Sequence, residues 1–252
     1  MARKVNEVVL ALSGGGARGA YHLGVLHYLD EQNIKIKAIC ATSIGSIIGA
    51  GYAYGVSPKQ QLKLLQSKEI KKVFKFAWFQ GSIFHIDMNA AVLQQLAPNI
   101  EIEDLHIPLH ITATNMDDAS ETIFSKGKAH MLCKASSALT PLFKPVQIKG
   151  TTYTDGGFIN HIPIKPLFQY DLPIIAVNLH PYIKNKKMHN LFASLKRVII
   201  VGMEQNTKFA KDHCDYLIES DNLVDFSILS LKNFDALFEL GYNAAKEKLA
   251  FK

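Results

Sequence analysis

The sequence of 252 residues has few of the residues that define several specialised classes of protein. Its 16 glycines and 9 prolines are too few for a collagen-like or low-complexity chain. Its three cysteines, Cys40, Cys133 and Cys214, lie far apart, which excludes a disulfide framework and a CxxC-type zinc site. Because reduced thiols are typical of the cytosol, we expect a cytoplasmic protein.

A long apolar run that would enter a membrane is also missing. The first apolar stretch is interrupted by Asn6 and Glu7, so it does not have the pattern of a signal peptide. Residues 38–58 carry no charge and include a GxxxG pair, Gly45 and Gly49. Their Gly, Ala and Ser content favours a buried strand, turn and helix, so we predict no transmembrane span.

The net charge of the sequence is modest and does not by itself identify a class of binding partner. Hydrophobic residues make up 48% of the sequence and charged residues 20%, which is sufficient for a deep core. With 28 Lys and Arg against 22 Asp and Glu, the net charge is +6. We expect no nucleic-acid partner and consider peripheral contact with an anionic membrane surface as a hypothesis.

The pattern of apolar residues predicts strands that alternate with helices. This alternation is typical of an α/β layer fold with a largely parallel central sheet, and no linker divides residues 1–252, so we expect one domain. The predicted strands cover 8–12, 34–40, 109–115, 151–154, 173–179 and 215–219. The predicted helices cover 20–31, 44–54, 58–65, 128–137, 190–211 and 235–248.

A glycine-rich turn follows the first predicted strand. Gly14, Gly16 and Gly19 satisfy GxGxxG, but the second strand ends without the acidic residue that a dinucleotide ribose requires. No Gly-Lys-Ser/Thr is present, which excludes a P-loop. Successive N–H groups at a helix start suit a phosphate or the oxyanion of a tetrahedral intermediate, and Arg18 adds positive charge. A tight turn without a ligand is the alternative.

A serine turn follows the second predicted strand. Ser43 lies between Ala41 and Gly45, and small residues at these two positions are what a nucleophile elbow requires. Ala41 stands where the usual GxSxG pattern has its first glycine. The alternative interpretation is that Ser43 is only the N-cap of the following helix.

An aspartate turn, Asp155-Gly156-Gly157, follows a short predicted strand. Asp155 is a candidate general base for a serine nucleophile if the fold brings the two together. A Ser–His–Asp triad with His110, His161 or His180 is the alternative. A solvated Asp in a surface turn is a third interpretation.

Together, these three turns resemble the patatin-like phospholipase family. The order SGGGARG, then SxG, then DGGFINHIP resembles the motifs of that family, and the segment with Ser136, Ser137, Pro141 and Phe143 resembles the stretch before its DGG. The similarity covers about residues 8–179. The resemblance implies a three-layer α/β/α acyl hydrolase fold and hydrolysis of a lipid acyl ester through an acyl-enzyme, without metal or cofactor.

The resemblance also implies roles for individual residues. Ser43 is the expected nucleophile and Asp155 the expected base, as a dyad. The oxyanion hole maps onto the N–H groups of Gly14, Gly15, Gly16 and Ala17, near Arg18. The remaining motif positions are Gly19, Ala41, Gly45, Gly156 and Gly157. A non-catalytic lipid- or acyl-binding regulator and an acyltransferase are the alternative functions.

A basic and aromatic stretch follows the serine unit. Residues 68–79 contain the only Trp of the chain, Trp78, together with Lys71, Lys72 and Lys75. Such a stretch can attract anionic headgroups and bury rings at an interface. We therefore expect residues 68–88 to form a cap over the site, with a partly buried amphipathic helix as the alternative.

Overall fold

The protein contains an α/β fold built on one large mixed sheet. A computed structural model describes residues 6–76, 82, 84–87, 90–182 and 191–249. The strands are β1 (Glu7–Leu12), β2 (Lys35–Thr42), β3 (Phe74–Phe76), β4 (Phe84–Ile86), β5 (Leu109–Asn115), β6 (Ser120–Phe124), β7 (Val146–Ile148), β8 (Thr151–Asp155), β9 (Ile174–Val177) and β10 (Tyr216–Ile218). The α-helices are α1 (Ala20–Glu31), α2 (Ile44–Ala53), α3 (Pro58–Gln66), α4 (Ala91–Leu96), α5 (Ala129–Ser136), α6 (Leu191–His213) and α7 (Phe234–Lys248).

Eight strands form the sheet in the order β10-β9-β1-β2-β5-β8-β7, with β6 paired to β5. Five neighbouring strands of the sheet, β10, β9, β1, β2 and β5, are parallel to one another. The pairs β5–β6, β5–β8 and β7–β8 are antiparallel. The predicted α/β fold is confirmed, and its parallel part covers five strands. The antiparallel neighbours β5–β6 and β7–β8 are joined by short turns, which parallel strands cannot be.

Both faces of the sheet are covered by helices, because both faces of its central strands are apolar. In β1, Leu10 and Leu12 join the larger core cluster, which includes residues of α1, α2 and α7. Val9 and Ala11 point to the opposite face and pack with residues of the 3₁₀ turn Lys165–Tyr170 and of α6. A strand that is apolar on both faces is typical of a parallel sheet between two helical layers.

The layer of α1 and α7 is closely packed at two glycines. A Cβ atom at Gly24 of α1 would lie 2.0 Å from the carbonyl oxygen of Phe238, and one at Gly241 of α7 would lie 2.1 Å from that of Tyr21. The two helices therefore meet backbone to backbone, which ties the C-terminal helix to the helix that follows the glycine-rich turn.

The uncharged stretch 38–58 forms the end of β2, a turn, α2 and the start of α3, as predicted. Ser57 caps α3 through a capping box with Gln60. Among the helices in the described part of the chain, none combines the length and the apolar character needed to cross a bilayer.

The register of β5 determines which strand ends meet. One edge of β5 is taken by β6 along Ile111–Asn115. On the other edge, β2 ends where Thr42 pairs with Thr112, and β8 ends where Asp155 pairs with the next residue, Ala113. The carboxyl end of β2 and the carboxyl end of β8 therefore meet head to head on one edge of β5.

Candidate active site

Ser43 occupies a strained turn between β2 and α2. Its φ of 54° and ψ of −126° lie in a region that a serine adopts at a cost of about 1–3 kcal/mol. Its side chain makes no capping hydrogen bond to α2, so the simple N-cap interpretation is wrong. Its backbone N–H donates to the buried Ser136 Oγ at 2.8 Å, which holds the turn in place.

Small neighbours make this turn sterically possible. A Cβ atom at Gly45 would lie 2.5 Å from the carbonyl oxygen of Leu12, so a larger residue would separate α2 from β1. Ala41 is fully buried, and its methyl group belongs to the core. The elbow conformation of Ser43 is therefore present with alanine in place of the usual first glycine.

Asp155 is buried at the end of β8, with its carboxyl close enough to the Ser43 side chain for Ser43 to lower its pKa. Its Oδ1 also accepts the N–H of Gly157 at 2.8 Å. Burial raises the pKa of Asp155 from 3.8 to about 6, although the hydrogen bonds from Ser43 and Gly157 act in the opposite direction. The predicted serine and aspartate, far apart in sequence, are thus in contact, and the carboxyl titrates near neutral pH.

Two glycines shape the turn behind Asp155. A Cβ atom at Gly156 would lie 2.6 Å from the carbonyl oxygen of Thr112, and one at Gly157 would lie 3.0 Å from Asp155 Oδ1. The chain therefore passes close to β5 and folds back over its own carboxylate. The interpretation of Asp155 as a solvated turn residue is wrong, because its side chain is buried.

The glycine-rich turn lies directly against Ser43. A Cβ atom at Gly14 would lie 3.1 Å from Ser43 Cβ, and Gly16 has a φ of +56°, which favours glycine. Gly19, at the start of α1, packs on Ile44 of α2. Among the described residues, the N–H groups of Gly14, Gly15 and Gly16 have no hydrogen-bond partner.

The next two residues of this turn, Ala17 and Arg18, do not have the free N–H groups that the predicted oxyanion hole would need. The Ala17 N–H donates to the carbonyl oxygen of Ile228 at 2.8 Å, and the Arg18 N–H donates to that of Gly15 at 3.3 Å. These two N–H groups are therefore occupied, and an oxyanion would have to displace protein carbonyls to reach them. The free donors of the turn are those of the three glycines.

The Arg18 side chain has a structural role, because its hydrogen bonds go to the backbone of other loops. Its guanidinium donates to the carbonyl oxygens of Phe226 at 2.9 Å and Leu179 at 2.7 Å, and it is 6% exposed. Burial lowers its pKa to about 10. Arg18 thus joins the glycine-rich turn to two distant loops, and its positive charge is directed into the protein.

The glycine-rich turn does not form an open cradle for a dinucleotide. A Cβ atom at Gly15 would lie 2.6 Å from the Leu179 side chain, and one at Gly16 would lie 2.3 Å from the Ile228 carbonyl oxygen. Protein atoms therefore fill the space where a pyrophosphate would approach the turn. The dinucleotide interpretation is not supported by this geometry.

The three candidate histidines do not complete a triad. His110 contacts Ser125 and Tyr170, and the ring of His180 packs against that of His161 with centroids 5.2 Å apart. His161 is fully buried beside Gly14 and Gly157, but neither ring nitrogen has a partner within the described residues. Burial lowers its pKa to about 3, so its ring is neutral.

An apolar cavity of about 320 Å³ opens beside Ser43. Ser43 and Ser137 are the polar side chains among its lining residues in the described part of the chain. Its apolar walls include Ile47, Leu65, Ile70, Val73, Leu93 and Leu96. A cavity of this character suits a hydrocarbon chain, because apolar surface leaves water on binding.

The predicted cap segment contributes directly to this cavity. Residues 68–73 form a 3₁₀ turn, and β3 and β4 form an antiparallel hairpin rather than the amphipathic helix of the alternative. Ile70 and Val73 from the turn and Ile86 from β4 line the cavity. Trp78 lies outside the described residues.

Several residues that hold the site were not selected from the sequence. Ser13 Oγ accepts the Leu179 N–H at 2.9 Å, and buried His22 Nε2 donates to the Ser13 carbonyl oxygen at 2.9 Å. The loop Phe226–Leu231 holds Arg18 and Ala17, and its residues Ile228, Leu229 and Leu231 line the cavity. No motif marks this loop, because its role depends on a distant contact.

The fold and the site define a class of protein: an α/β protein with a serine in a strained strand-to-helix turn, a buried carboxyl close to that serine and an apolar cavity alongside. A family model described as patatin-like phospholipase matches residues 10–168, which contain both Ser43 and Asp155. The chain therefore belongs to the patatin-like phospholipase family.

Three relatives have sequences similar to this one over most of its length. Lysophospholipase NTE1 of Kluyveromyces lactis is 25% identical over 93% of the chain and that of Eremothecium gossypii is 31% identical over 92%. The mouse patatin-like phospholipase domain-containing protein 6 is 24% identical over 96%. The chain spans 18%, 17% and 20% of the lengths of these three relatives.

Solved structures support the fold. VipD from Legionella pneumophila matches 97% of this chain with a TM-score of 0.53 and 13% identity, and 66% of that chain is covered. The type III effector protein ExoU matches 98% of this chain with a TM-score of 0.52 and 14% identity, and 53% of that chain is covered.

Proposed function

We propose that this protein is a serine acyl hydrolase that cleaves acyl esters of lipids, with Ser43 as the nucleophile and Asp155 as the general base. The observation that carries the proposal is the proximity of the Ser43 side chain to the buried Asp155 carboxyl, beside an apolar cavity. A carboxylate with a pKa of about 6 is ionised at neutral pH and basic enough to accept a hydroxyl proton as the nucleophile attacks.

The reaction proceeds in two halves. Ser43 Oγ attacks the ester carbonyl carbon while Asp155 takes its proton, and the oxyanion of the tetrahedral intermediate accepts hydrogen bonds from the N–H groups of Gly14, Gly15 and Gly16. The intermediate collapses and releases the alcohol, which takes the proton from Asp155. Water then attacks the acyl-enzyme with Asp155 again as base, which releases the fatty acid and restores Ser43.

The proposed oxyanion hole has fewer N–H donors than the sequence predicted. Ala17 and Arg18 support the oxyanion hole without donating to it, because their N–H groups already bond Ile228 and Gly15. The positive end of α2, which begins at Ile44, also favours negative charge near Ser43.

The proposed substrate is a lipid with at least one acyl ester whose chain enters the cavity. Two of the relatives are named lysophospholipases, which agrees with a substrate that carries one acyl chain. The cavity of about 320 Å³ has apolar walls that suit a flexible hydrocarbon chain, which agrees with a lipid substrate.

Labelling with a fluorophosphonate probe tests the nucleophile. Wild type is expected to be labelled, Ser43→Ala to lose all labelling and Asp155→Asn to lose most of it. Ser120→Ala is the matched control for the serine, since Ser120 is an exposed residue of β6 that does not line the cavity, and Asp171→Asn is the control for the carboxyl. Both controls are expected to be labelled like wild type.

The result also separates the alternative functions. A folded wild type that is not labelled, with or without lipid vesicles, would contradict the proposal and favour the lipid-binding regulator. Labelling with no release of fatty acid, but with transfer of the acyl group to an added alcohol, would favour an acyltransferase, since both reactions share the acyl-enzyme.

A further inference from the structure

The three free N–H groups of the glycine-rich turn belong to peptide units whose carbonyl groups are already hydrogen bonded. The Ser13 carbonyl oxygen accepts the Nε2–H of His22 at 2.9 Å. The Gly14 carbonyl oxygen accepts the Ser13 hydroxyl at 3.1 Å. The Gly15 carbonyl oxygen accepts the Arg18 N–H at 3.3 Å. Each of these carbonyl groups shares a rigid peptide plane with the N–H of the next residue, which is one of the proposed oxyanion donors.

A bond that fixes the carbonyl group of a trans peptide also fixes its N–H, because the two point in opposite directions. The peptide between Ser13 and Gly14 is trans, so the hydrogen bond from His22 directs the Gly14 N–H away from α1. Gly14 lies against the proposed nucleophile, since a Cβ atom there would be 3.1 Å from Ser43 Cβ. The N–H donor beside Ser43 is therefore oriented by a side chain of the first helix.

His22 reaches this peptide from a rigid element. It lies in the first turn of α1, which packs backbone to backbone against α7, and both His22 and Ser13 are fully buried. Burial lowers the pKa of His22 to about 4, although its bond to Ser13 acts in the opposite direction, so the ring is neutral at neutral pH. A neutral imidazole has one N–H, and here that donor is on Nε2, because its partner is a carbonyl oxygen. The Nδ1 atom has no hydrogen-bond partner within the described residues.

We propose that His22 is a positioning residue of the oxyanion hole, because its Nε2–H holds the peptide between Ser13 and Gly14 so that the Gly14 N–H is aligned before substrate binds. The proposal rests on the proposed function and adds to it a residue that acts through the backbone of the turn. Donors that are already aligned stabilise a developing oxyanion more than donors that must first reorient.

The test compares an ester with its thionoester, 4-nitrophenyl butyrate with O-4-nitrophenyl thionobutyrate. With both substrates, Ser43 Oγ bonds to the acyl carbon, Asp155 takes the hydroxyl proton, and 4-nitrophenolate leaves with the electron pair of the broken bond. Negative charge develops on oxygen in the ester and on sulfur in the thionoester, and sulfur is the weaker hydrogen-bond acceptor. The kcat/KM values report this acylation step, so the ratio of the two values measures the contribution of the oxyanion hole.

Three substitutions of His22 separate its hydrogen bond from its packing. His22→Gln keeps an N–H donor near the position of Nε2, His22→Asn carries the same amide one methylene group short of it, and His22→Leu has no donor. The control is His110→Leu, which removes another buried histidine whose ring contacts Ser125 and Tyr170 and does not line the cavity.

We expect His22→Leu and His22→Asn to lower kcat/KM about thirtyfold for the ester and about threefold for the thionoester, so that the ratio falls about tenfold. His22→Gln should keep most of the wild-type ratio, and His110→Leu should keep all of it. The ratio does not depend on the concentration of folded enzyme, so a variant that folds poorly still gives a valid result. If His22→Leu does not fold, His22→Asn carries the comparison with His22→Gln.

Two outcomes would overturn the role of His22 and leave the proposed function in place. One is a loss of equal size for both substrates in His22→Leu and His22→Asn, which would indicate a structural role alone. The other is an unchanged kcat/KM for the ester in both variants. Failure of the proposed function looks different: wild type would release 4-nitrophenol no faster than Ser43→Ala from either substrate.

Discussion

Replacing Asp155 with asparagine should abolish activity and, at the same time, stabilise the fold above neutral pH. The pKa of Asp155 is raised by burial from 3.8 to about 6, so the folded state prefers the protonated carboxyl. The stability that this preference contributes is fully present below pH 3.8 and is lost as the pH rises through about 6. An amide has the same shape, still accepts the Gly157 N–H and never ionises.

The size of the effect follows from the two pKa values. Ionisation of Asp155 in the folded protein costs about 1.6 kcal/mol at pH 5 and about 3 kcal/mol at pH 8, relative to an unfolded carboxyl. Because Asp155 is only 5% exposed, solvent screening reduces these figures little. Asp155→Asn should therefore gain about 1.4 kcal/mol more stability over wild type at pH 8 than at pH 5.

The assay is urea denaturation of both proteins at pH 5 and pH 8, together with fluorophosphonate labelling at pH 8. The matched control is Asp171→Asn, which makes the same change of side chain outside the site. An Asp155→Asn protein that is less stable than wild type at pH 8, or a stability difference that does not change with pH, would refute the reasoning. Full labelling of Asp155→Asn would refute its role as the base.

Three further predictions follow from the same site. The kcat/KM for a soluble ester should rise with pH through an apparent pKa of about 6, with about a tenth of the plateau value at pH 5, and a flat profile would contradict Asp155 as the base. Gly45→Ala should destabilise the protein by about 3 kcal/mol in urea denaturation, because its Cβ would meet the Leu12 carbonyl oxygen at 2.5 Å. The control, Gly202→Ala, should be neutral or stabilising, because the space around Gly202 in α6 is open. Ile47→Phe should shift the preference among ester chain lengths towards shorter chains, since Ile47 lines the cavity, and an unchanged preference would show that the chain binds elsewhere.

The elements that the sequence predicted well are long, mostly apolar segments. The helix predicted at residues 20–31 agrees with α1, in which nine of twelve residues are buried, and the strand predicted at residues 109–115 agrees with β5, in which six of seven are buried. The missed elements, β3, β4, β7 and α4, are three to six residues long, too short to show a period. The antiparallel strand β6 is half polar along the sheet edge, and its pairing is set by β5.

The candidate site was predictable to the extent that it lies in local turns. Ser43, Asp155 and the glycine-rich turn each have a sequence pattern, but their contact depends on the register of β2 and β8 along β5, which no local pattern encodes. The same limit applies to the Ala17 N–H. Its partner is the carbonyl group of Ile228, far along the chain, so this donor could not be excluded from the sequence.

The contact between the loop Phe226–Leu231 and the glycine-rich turn has a consequence for the size of the functional unit. The family match ends at residue 168, but the groups that fix Ala17 and Arg18 lie beyond it, at Leu179, Phe226 and Ile228. Three cavity-lining residues of that loop also lie beyond residue 168, and so does α7, the helix that packs against α1. A fragment cut to the matched residues would contain both proposed reacting side chains and lose the parts that hold the oxyanion donors in position. Anyone who excises the corresponding region from a longer relative should therefore include the counterpart of α7.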